Sequence, residues 1–383
     1  MPTQSGIWNL KQVRDGVAGA LYAQQPLIDG ITGGIGNVQS TLTISGVAFG
    51  LLQGTVRFTS GATIADVSVT PASDVSMTVN VPQAIYDLAT GSTVGIKFIT
   101  GLGVQSNTFN KPVTQFGADF LVIAGGGGST AVSGGGAGGY RCSVTGELSG
   151  GGASAETELT LTTETNYTVT VGGGGPGQTI GSNSVFSTIE STGGGRAGIQ
   201  NTANNVGGTG GSGGGSAYPS GGVGNVYSGG LGTANQGFDG GGHGSATGGS
   251  GGGGGGAGAV GTANTSVLPG NGGNGVESSI TGSPVPRGGG GAGFNEVASP
   301  SAGTGGSGGG GAGGTAGAEN TGGGGGASSP IAPVAGGSGV VIIKYPDAFT
   351  ISNPGGGLTS TTATAGGFKV TTFTAGTGNV SFA

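Results

Sequence analysis

His243 is the only histidine of the 383-residue chain, so any hydrolytic triad must use it. A Ser-His-Asp arrangement also needs a carboxylate that orients the imidazole, and Asp239 is the only acidic residue close by in sequence. Glycines occupy positions 240–242 and 244, on both sides of the histidine. These neighbours predict an exposed loop residue and argue against a catalytic histidine.

Two further residue types could do chemistry. Glycoside hydrolysis needs two facing carboxylates, which Glu156 and Glu158 could supply by number, but their context predicts an exposed turn or strand edge. Cys142 is the only cysteine, and we interpret it as a small buried hydrophobe beside Tyr140. One histidine and one cysteine do not make a zinc site. We predict a non-enzymatic protein with no catalytic residue, metal site or cofactor.

Recognition is the chemistry that the remaining bulky side chains suit. Aromatic rings pack on sugar rings, and arginine guanidinium groups bind hydroxyl or phosphate oxygens. The candidate receptor-binding residues are Tyr218, Tyr227, Phe238, His243, Arg287 and Phe294. Two interpretations stand side by side. Either these side chains contact a receptor, or they anchor glycine layers that lack a core, and on the sequence we favour the second.

The stretch that carries these side chains is dominated by glycine. The chain has 102 glycines, and most lie between about Ala124 and Gly339. Only 7% of the residues are charged, against roughly 25% in an ordinary domain. Glycine brings no side chain to bury, so such a stretch either stays disordered or folds by pairing backbone with backbone. Strand-like runs punctuate it, at 120–123, 167–171 and 339–345. We therefore predict an all-β fold.

Residues 26–115 show the alternation of a small β-sandwich. Its predicted strands are residues 41–45, 55–58, 64–69, 77–81 and 93–98. The runs Leu42–Gly50 and Thr55–Phe58, with the step from Val79 to Pro82, resemble the IPT/TIG family of immunoglobulin-like domains. That resemblance implies a spacer or docking module.

Residues 116–346 form the predicted glycine-rich domain. Its ordered motifs are Gly117–Gly128, Gly134–Arg141, Asn166–Gly175, Gly181–Ile189 and Gly336–Pro346. In this order and spacing they resemble the glycine-rich domain of phage tail-fibre and tail-tip proteins. The resemblance implies layered loops like polyglycine II, with receptor specificity in the loops at Tyr218, Tyr227, Phe238 and His243. It also implies a structural role for Tyr140 and Arg141.

The two ends of the chain form separate predicted segments. Residues 1–25 form an arm whose Ile7, Trp8 and Leu10 suit docking to a virion, and its "GIW" start resembles marine and cyanobacterial phage tail proteins. Packing of the arm on the next domain is an equal alternative. Residues 347–383 contain runs at 367–374 and 378–382, and the turn at 376–379 predicts a β-hairpin that adds to the sheet of the glycine-rich domain.

The resemblance to phage tail proteins implies a virion protein of a tail fibre or tail tip that binds a bacterial surface glycan or outer-membrane receptor. Other tail proteins are its expected partners, and a homotrimer is possible. With no signal peptide recognised in the first 25 residues, we expect assembly in the host cytoplasm. The net charge of −6 and the absence of a basic patch argue against nucleic acid. The alternatives are a decoration or neck/collar fibre protein without a receptor role, a bacterial cell-surface structural protein, and a polysaccharide depolymerase.

Overall fold

The structure is a computed structural model that describes residues 25–36, 40–86, 88–218, 226–244, 249–265, 268–296, 300–329 and 332–383. It is nearly all β, with several antiparallel sheets and one nearly closed, barrel-like sheet. The predicted all-β class is confirmed. The described residues divide into two compact units. The first holds the residues up to Phe116 with Thr160–Thr165 and Phe382–Ala383, and the second holds Gly117–Leu159 and Asn166–Ser381.

The first unit contains two antiparallel sheets. Its elements are β1 (Leu27–Thr32), β2 (Thr41–Val47), β3 (Gly54–Ser60), β4 (Thr63–Val69), β5 (Ser76–Asn80), α1 (Gln83–Tyr86), β6 (Thr93–Ile99) and β7 (Phe109–Pro112). One sheet has the order β1-β2-β5 and the other β4-β3-β6-β7. Within the described residues no helix is long and apolar enough to cross a membrane.

Strand alternation builds the core of the first unit. In β2 every second residue is buried, so that Leu42 and Ile44 point inward while Thr41 and Thr43 stay outside. They belong to one apolar cluster with Val56, Phe58 and Phe98 of the facing sheet. The five strands expected from alternation are confirmed. Strands β1 and β7 are additional, because their few inward residues give no clear period of two.

Most residues of the larger sheet belong to the second unit. The remaining strands of the described residues are β8 (Gln115–Ile123), β9 (Tyr140–Cys142), β10 (Leu159–Thr162), β11 (Tyr167–Thr170), β12 (Ser184–Phe186), β13 (Ile189–Ser191), β14 (Val276–Ser278), β15 (Val285–Arg287), β16 (Phe294–Asn295), β17 (Ser301–Ala302), β18 (Val340–Pro346), β19 (Ile351–Ser352), β20 (Leu358–Ala365) and β21 (Phe368–Phe382). Ten strands share one sheet, with the order β10-β8-β18-β21-β11-β12-β13, while β9 pairs with β8 and both β19 and β20 pair with β21.

The two ends of the glycine-rich stretch meet in this sheet. β18 pairs with β8 from Val340 opposite Ile123 to Lys344 opposite Asp119. The strand-like runs predicted at residues 120–123 and 339–345 therefore lie side by side in one sheet. β21 then pairs with the other edge of β18, so the C-terminal segment adds to the sheet of its own chain, as expected.

The expected C-terminal hairpin is wrong in detail. β21 is a single strand through residues 376–379, and Gly376, with a φ of +98°, lies beside a register shift instead of forming a turn. The hairpin joins β20 to β21 through Gly366 and Gly367, whose φ values of +60° and +82° suit a type I′ turn. The sequence pattern missed β20 because nearly all of its residues are exposed, so it has no apolar alternation.

Backbone hydrogen bonds between distant segments join the glycine runs. The N–H groups of residues 134–139 donate in rotation to three neighbouring segments, so that every third donor returns to the same segment. The donor–acceptor pairs are Gly134–Gly252, Gly135–Gly325, Gly136–Gly195, Ala137–Gly255, Gly138–Gly322 and Gly139–Thr192, with N···O distances from 2.7 to 3.1 Å. Residues 134–139 are therefore surrounded by the backbone of neighbouring segments, which satisfies their N–H groups.

The close approach of these runs explains why they contain glycine. A Cβ atom placed on Gly135 would overlap the carbonyl oxygen of Gly127, and one on Gly254 would overlap that of Gly135. Glycine is required here by the spacing between backbones, since these residues have ordinary negative-φ or extended conformations.

Two neighbouring glycines allow a matched test of this constraint. A Cβ on Gly174 would overlap the carbonyl oxygen of Gly336, whereas one on Gly173 has no heavy atom within 4 Å. We expect Gly174→Ala to lower the free energy of unfolding by about 1–3 kcal/mol through overpacking, and Gly173→Ala to change it by less than about 1 kcal/mol. Chemical denaturation of both variants measures the difference. Equal effects would contradict the spacing argument.

Candidate recognition site

Adjacent glycine segments bring several bulky side chains to one end of the glycine-rich unit. Ser216 donates from its Oγ to the Ser228 carbonyl oxygen at 2.7 Å, and its N–H donates to Gly241 at 3.0 Å. Tyr218, Tyr227 and His243 each lie one or two residues beyond these contacts. We call this end the loop end, and it comprises Tyr218, Tyr227, His243, Asn264, Phe294 and Glu296.

Tyr227, His243 and Asn264 follow one another across three backbone segments. Tyr227 and His243 exchange both backbone hydrogen bonds, at 3.0 and 2.8 Å, and His243 forms a parallel bridge with Asn264. The expectation that His243 is exposed is wrong, since only 2% of it is accessible. Its neighbours come from segments far apart in sequence and cover it on both sides. Tyr227 is half-buried, and the adjacent Val226 is 74% exposed.

Tyr218 is tied to an acidic residue at the loop end. Its hydroxyl donates to Oε1 of Glu296, and both residues are half-buried. Burial, together with the Glu296 carboxylate, raises the pKa of Tyr218 to about 12. The phenol therefore stays neutral and oriented near pH 7, with a carboxylate fixed beside it. An aromatic face next to a hydrogen-bond acceptor is an arrangement that suits a polyhydroxylated ligand.

Phe294 is a buried aromatic residue at the loop end. It is 8% exposed, and its N–H donates to the Val132 carbonyl oxygen at 2.8 Å. The adjacent Asn295 bridges Ser250. Phe294 is therefore a buried residue of the loop end, and little of its ring is accessible to solvent.

Phe238 and Arg287 lie at the opposite end, near the strands. Phe238 is half-buried and pairs by backbone with Gly213 and Gly256. Arg287 ends β15, where burial lowers its pKa and the Tyr140 hydroxyl group lies close enough to interact electrostatically. The structure therefore brings four of the six sequence-derived candidates together and leaves these two apart. Ile7, Trp8 and Leu10, the candidate docking residues, lie outside the described residues.

The side chains considered for catalysis have structural surroundings. Glu156 forms an ion pair with Arg141. Glu158, two residues further along the chain, is exposed. Cys142 is fully buried beside Tyr140, as expected, and burial raises the pKa of its thiol to about 12. Tyr140 is also fully buried, and burial raises its pKa as well.

Sequence reasoning missed Glu296 and Asn264 at the loop end. Asn264 is 2% exposed, and its Oδ1 accepts the Gly244 N–H at 3.0 Å. A signal was present, because each of these residues is among the first polar side chains next to a glycine run. Only the spatial order of the runs shows which of these ends meet.

Comparison with known families finds one match. The family model described as a glycine-rich domain matches residues 102–346, which is more than half of the chain. No curated protein and no solved structure matches the chain.

The Tyr218–Glu296 contact predicts a titration signature. We expect tyrosinate absorbance to contain one component near pH 12 that disappears in Tyr218→Phe and moves toward pH 10 in Glu296→Gln. A tyrosine with a raised pKa in the folded state favours folding below pH 10, and this contribution is lost as the pH rises from 10 to 12. Tyr218→Phe should accordingly remove part of the alkaline loss of stability. An unchanged titration curve in Tyr218→Phe would contradict the contact.

Burial of Cys142 predicts an inert thiol. A thiol with a pKa of about 12 is almost fully protonated at pH 8 and therefore not nucleophilic. We expect no reaction of the native protein with a disulfide reagent, and one thiol per chain after denaturation. Rapid labelling of the native protein would contradict the burial of this side chain.

Proposed function

The chain belongs to the glycine-rich domain family, and from this membership we propose that it is a structural protein of a tailed-phage virion. We place it at a tail fibre or tail tip, where it contacts the bacterial surface by binding and without catalysis. Its receptor is a surface glycan or an outer-membrane component. The formal net charge of the chain is −6, which agrees with a partner other than nucleic acid.

One observation carries the proposal: the loop end joins half-exposed aromatic and acidic side chains to a scaffold of paired backbones. Backbone hydrogen bonds join Tyr227 to His243 and Glu296 to Gly249, and the Tyr218 hydroxyl donates to Glu296. Such side chains lose little freedom when a ligand binds, and this lowers the entropic cost of association. An adhesin that faces solvent needs this combination of rigidity and accessible ring surface.

The glycine layers suit an extracellular scaffold. We propose that the segments adopt a polyglycine II arrangement, in which an extended helix of three residues per turn bonds to neighbours in three directions. The return of every third N–H group to the same neighbour is the pattern expected of that helix. Low charge and saturated backbone bonding give such a scaffold few sites for proteases.

The remaining segments then act as connections. We propose that the sandwich of the first unit is an IPT/TIG-like spacer and that residues 1–25 dock to other tail proteins through Ile7, Trp8 and Leu10. Assembly in the host cytoplasm follows for a virion component, since release occurs by lysis. The loop end is then the part that meets the bacterium.

Localisation in the particle is the first test. Gold-labelled antibodies raised against the purified chain should decorate the fibre or tip of intact virions in electron micrographs. Labelling at the neck or collar would assign it a role as a decoration or collar fibre. Labelling of uninfected bacteria, with unlabelled virions, would assign the chain to the bacterial cell surface.

Binding by the loop end is the second test. We expect Tyr227→Ala to weaken binding of the purified protein to host cells by about tenfold or more, because a few aromatic anchors dominate recognition. Phe238→Ala is the matched control, since it removes a half-buried aromatic at the opposite end. Equal loss in both variants, or none in Tyr227→Ala, would contradict a receptor surface at the loop end.

A further inference from the structure

Strand β20 has an outer edge with no paired strand within the described part of the chain. It pairs with β21 alone, and Ser360–Ala365 oppose Phe373–Phe368 without a break. Seven of its eight residues are exposed, and the eighth, Leu358, is half-buried. A row of backbone N–H and C=O groups therefore faces solvent along this edge.

Other edge strands of the same chain carry features that block edge pairing. β4 has Asp66, which forms an ion pair with Arg57 at 2.7 Å, and β7 contains Lys111 and Pro112. β1 contains Asp29 at a register shift. β5 and β13 are short, with five and three residues. Charges, prolines, bulges and short length are the usual protection of sheet edges.

β20 has none of these features between Ser360 and Ala365. The strand contains no charged residue and no proline, and its threonines favour extended backbone. Serine, threonine and alanine are small, so they leave the backbone groups of the edge accessible. The register shift opposite Thr359 lies at the start of the strand, and the six residues that follow are regular.

We propose that β20 is a dimerisation edge that pairs antiparallel with β20 of a second copy of this chain. The second copy is the occupant favoured by charge, because the uncharged strand brings no like charges together when it faces itself. A two-fold axis near Thr361 and Thr362 places threonines opposite one another, and such cross-strand pairs stabilise sheets. Each copy offers one such edge, so the pairing closes at two chains.

The first experiment measures the mass of the full-length chain over a concentration series by light scattering. We expect a transition from 35.4 kDa to twice that mass. Thr361→Lys and Thr362→Lys should each raise the dissociation constant by about tenfold or more, because either substitution brings two like charges close to the axis. Ser68→Lys on the exposed face of β4 is the matched control and should leave the dimer unchanged.

Thermal unfolding of each lysine variant shows whether it is folded. If it is not, cysteine substitutions test whether β20 forms the dimer interface. Because Cys142 is buried, introduced thiols are the ones that react. Thr361→Cys or Thr362→Cys should form an intermolecular disulfide on mild oxidation, since paired residues near the axis have close Cβ atoms. Ser68→Cys should not.

Three outcomes would overturn the proposal. The first is a monomer at every concentration, and the second is a trimer. The third is a dimer that both folded lysine variants retain, with cysteine crosslinking no greater than in Ser68→Cys. If the protein does not bind host cells, the receptor role is contradicted, but the measurement of the dimer is unaffected.

Discussion

The structure depends on hydrogen bonds between backbones that approach too closely for a Cβ atom. A net hydrogen bond contributes about 1 kcal/mol, while ordering one backbone residue costs about 1–2 kcal/mol. Glycine runs could not fold on these bonds alone. Their close packing adds dispersion contacts, and the strands at both ends add a side-chain core, in which Leu121, Tyr140 and Ile342 are fully buried. The strands hold the ends of the glycine runs in place, and the runs then satisfy one another's backbone hydrogen-bonding groups.

This constraint separates scaffold from surface. Inside the layers a side chain would displace a neighbouring segment, as the overlap at Gly135 and Gly254 shows. The candidate side chains that the structure describes lie mainly at the ends of the runs and in the strands. Tyr218, Tyr227 and Glu296 occupy one end, and Tyr140 and Arg287 occupy the other. The ion pair of Arg141 with Glu156 belongs to the strand end and stabilises the framework.

Much of the fold could be predicted from sequence because alternation and apolar runs report burial directly. β2 and β18 are examples, since their burial follows from their own residues. β20 could not be found in this way, because its exposed residues carry no alternation. The burial of His243 depends on Tyr227 and Asn264, whose approach is set by long-range pairing. The candidate residues could be named by type, but only the fold divides them between two ends.

Backbone pairing also explains why one edge differs from the others. Residues 134–139 direct their N–H groups to three neighbours, so further strands find no free donors there. At β4 the Asp66–Arg57 pair keeps charge beside the edge, and addition of a strand would have to desolvate it. Among the described residues, β20 has neither engaged outer donors nor a charged pair beside its edge. It is connected to β21 by the turn at Gly366 and Gly367, and its pairing with β21 keeps it extended. Backbone hydrogen-bonding groups are engaged within the glycine layers, whereas those along the outer edge of β20 remain available to a further strand.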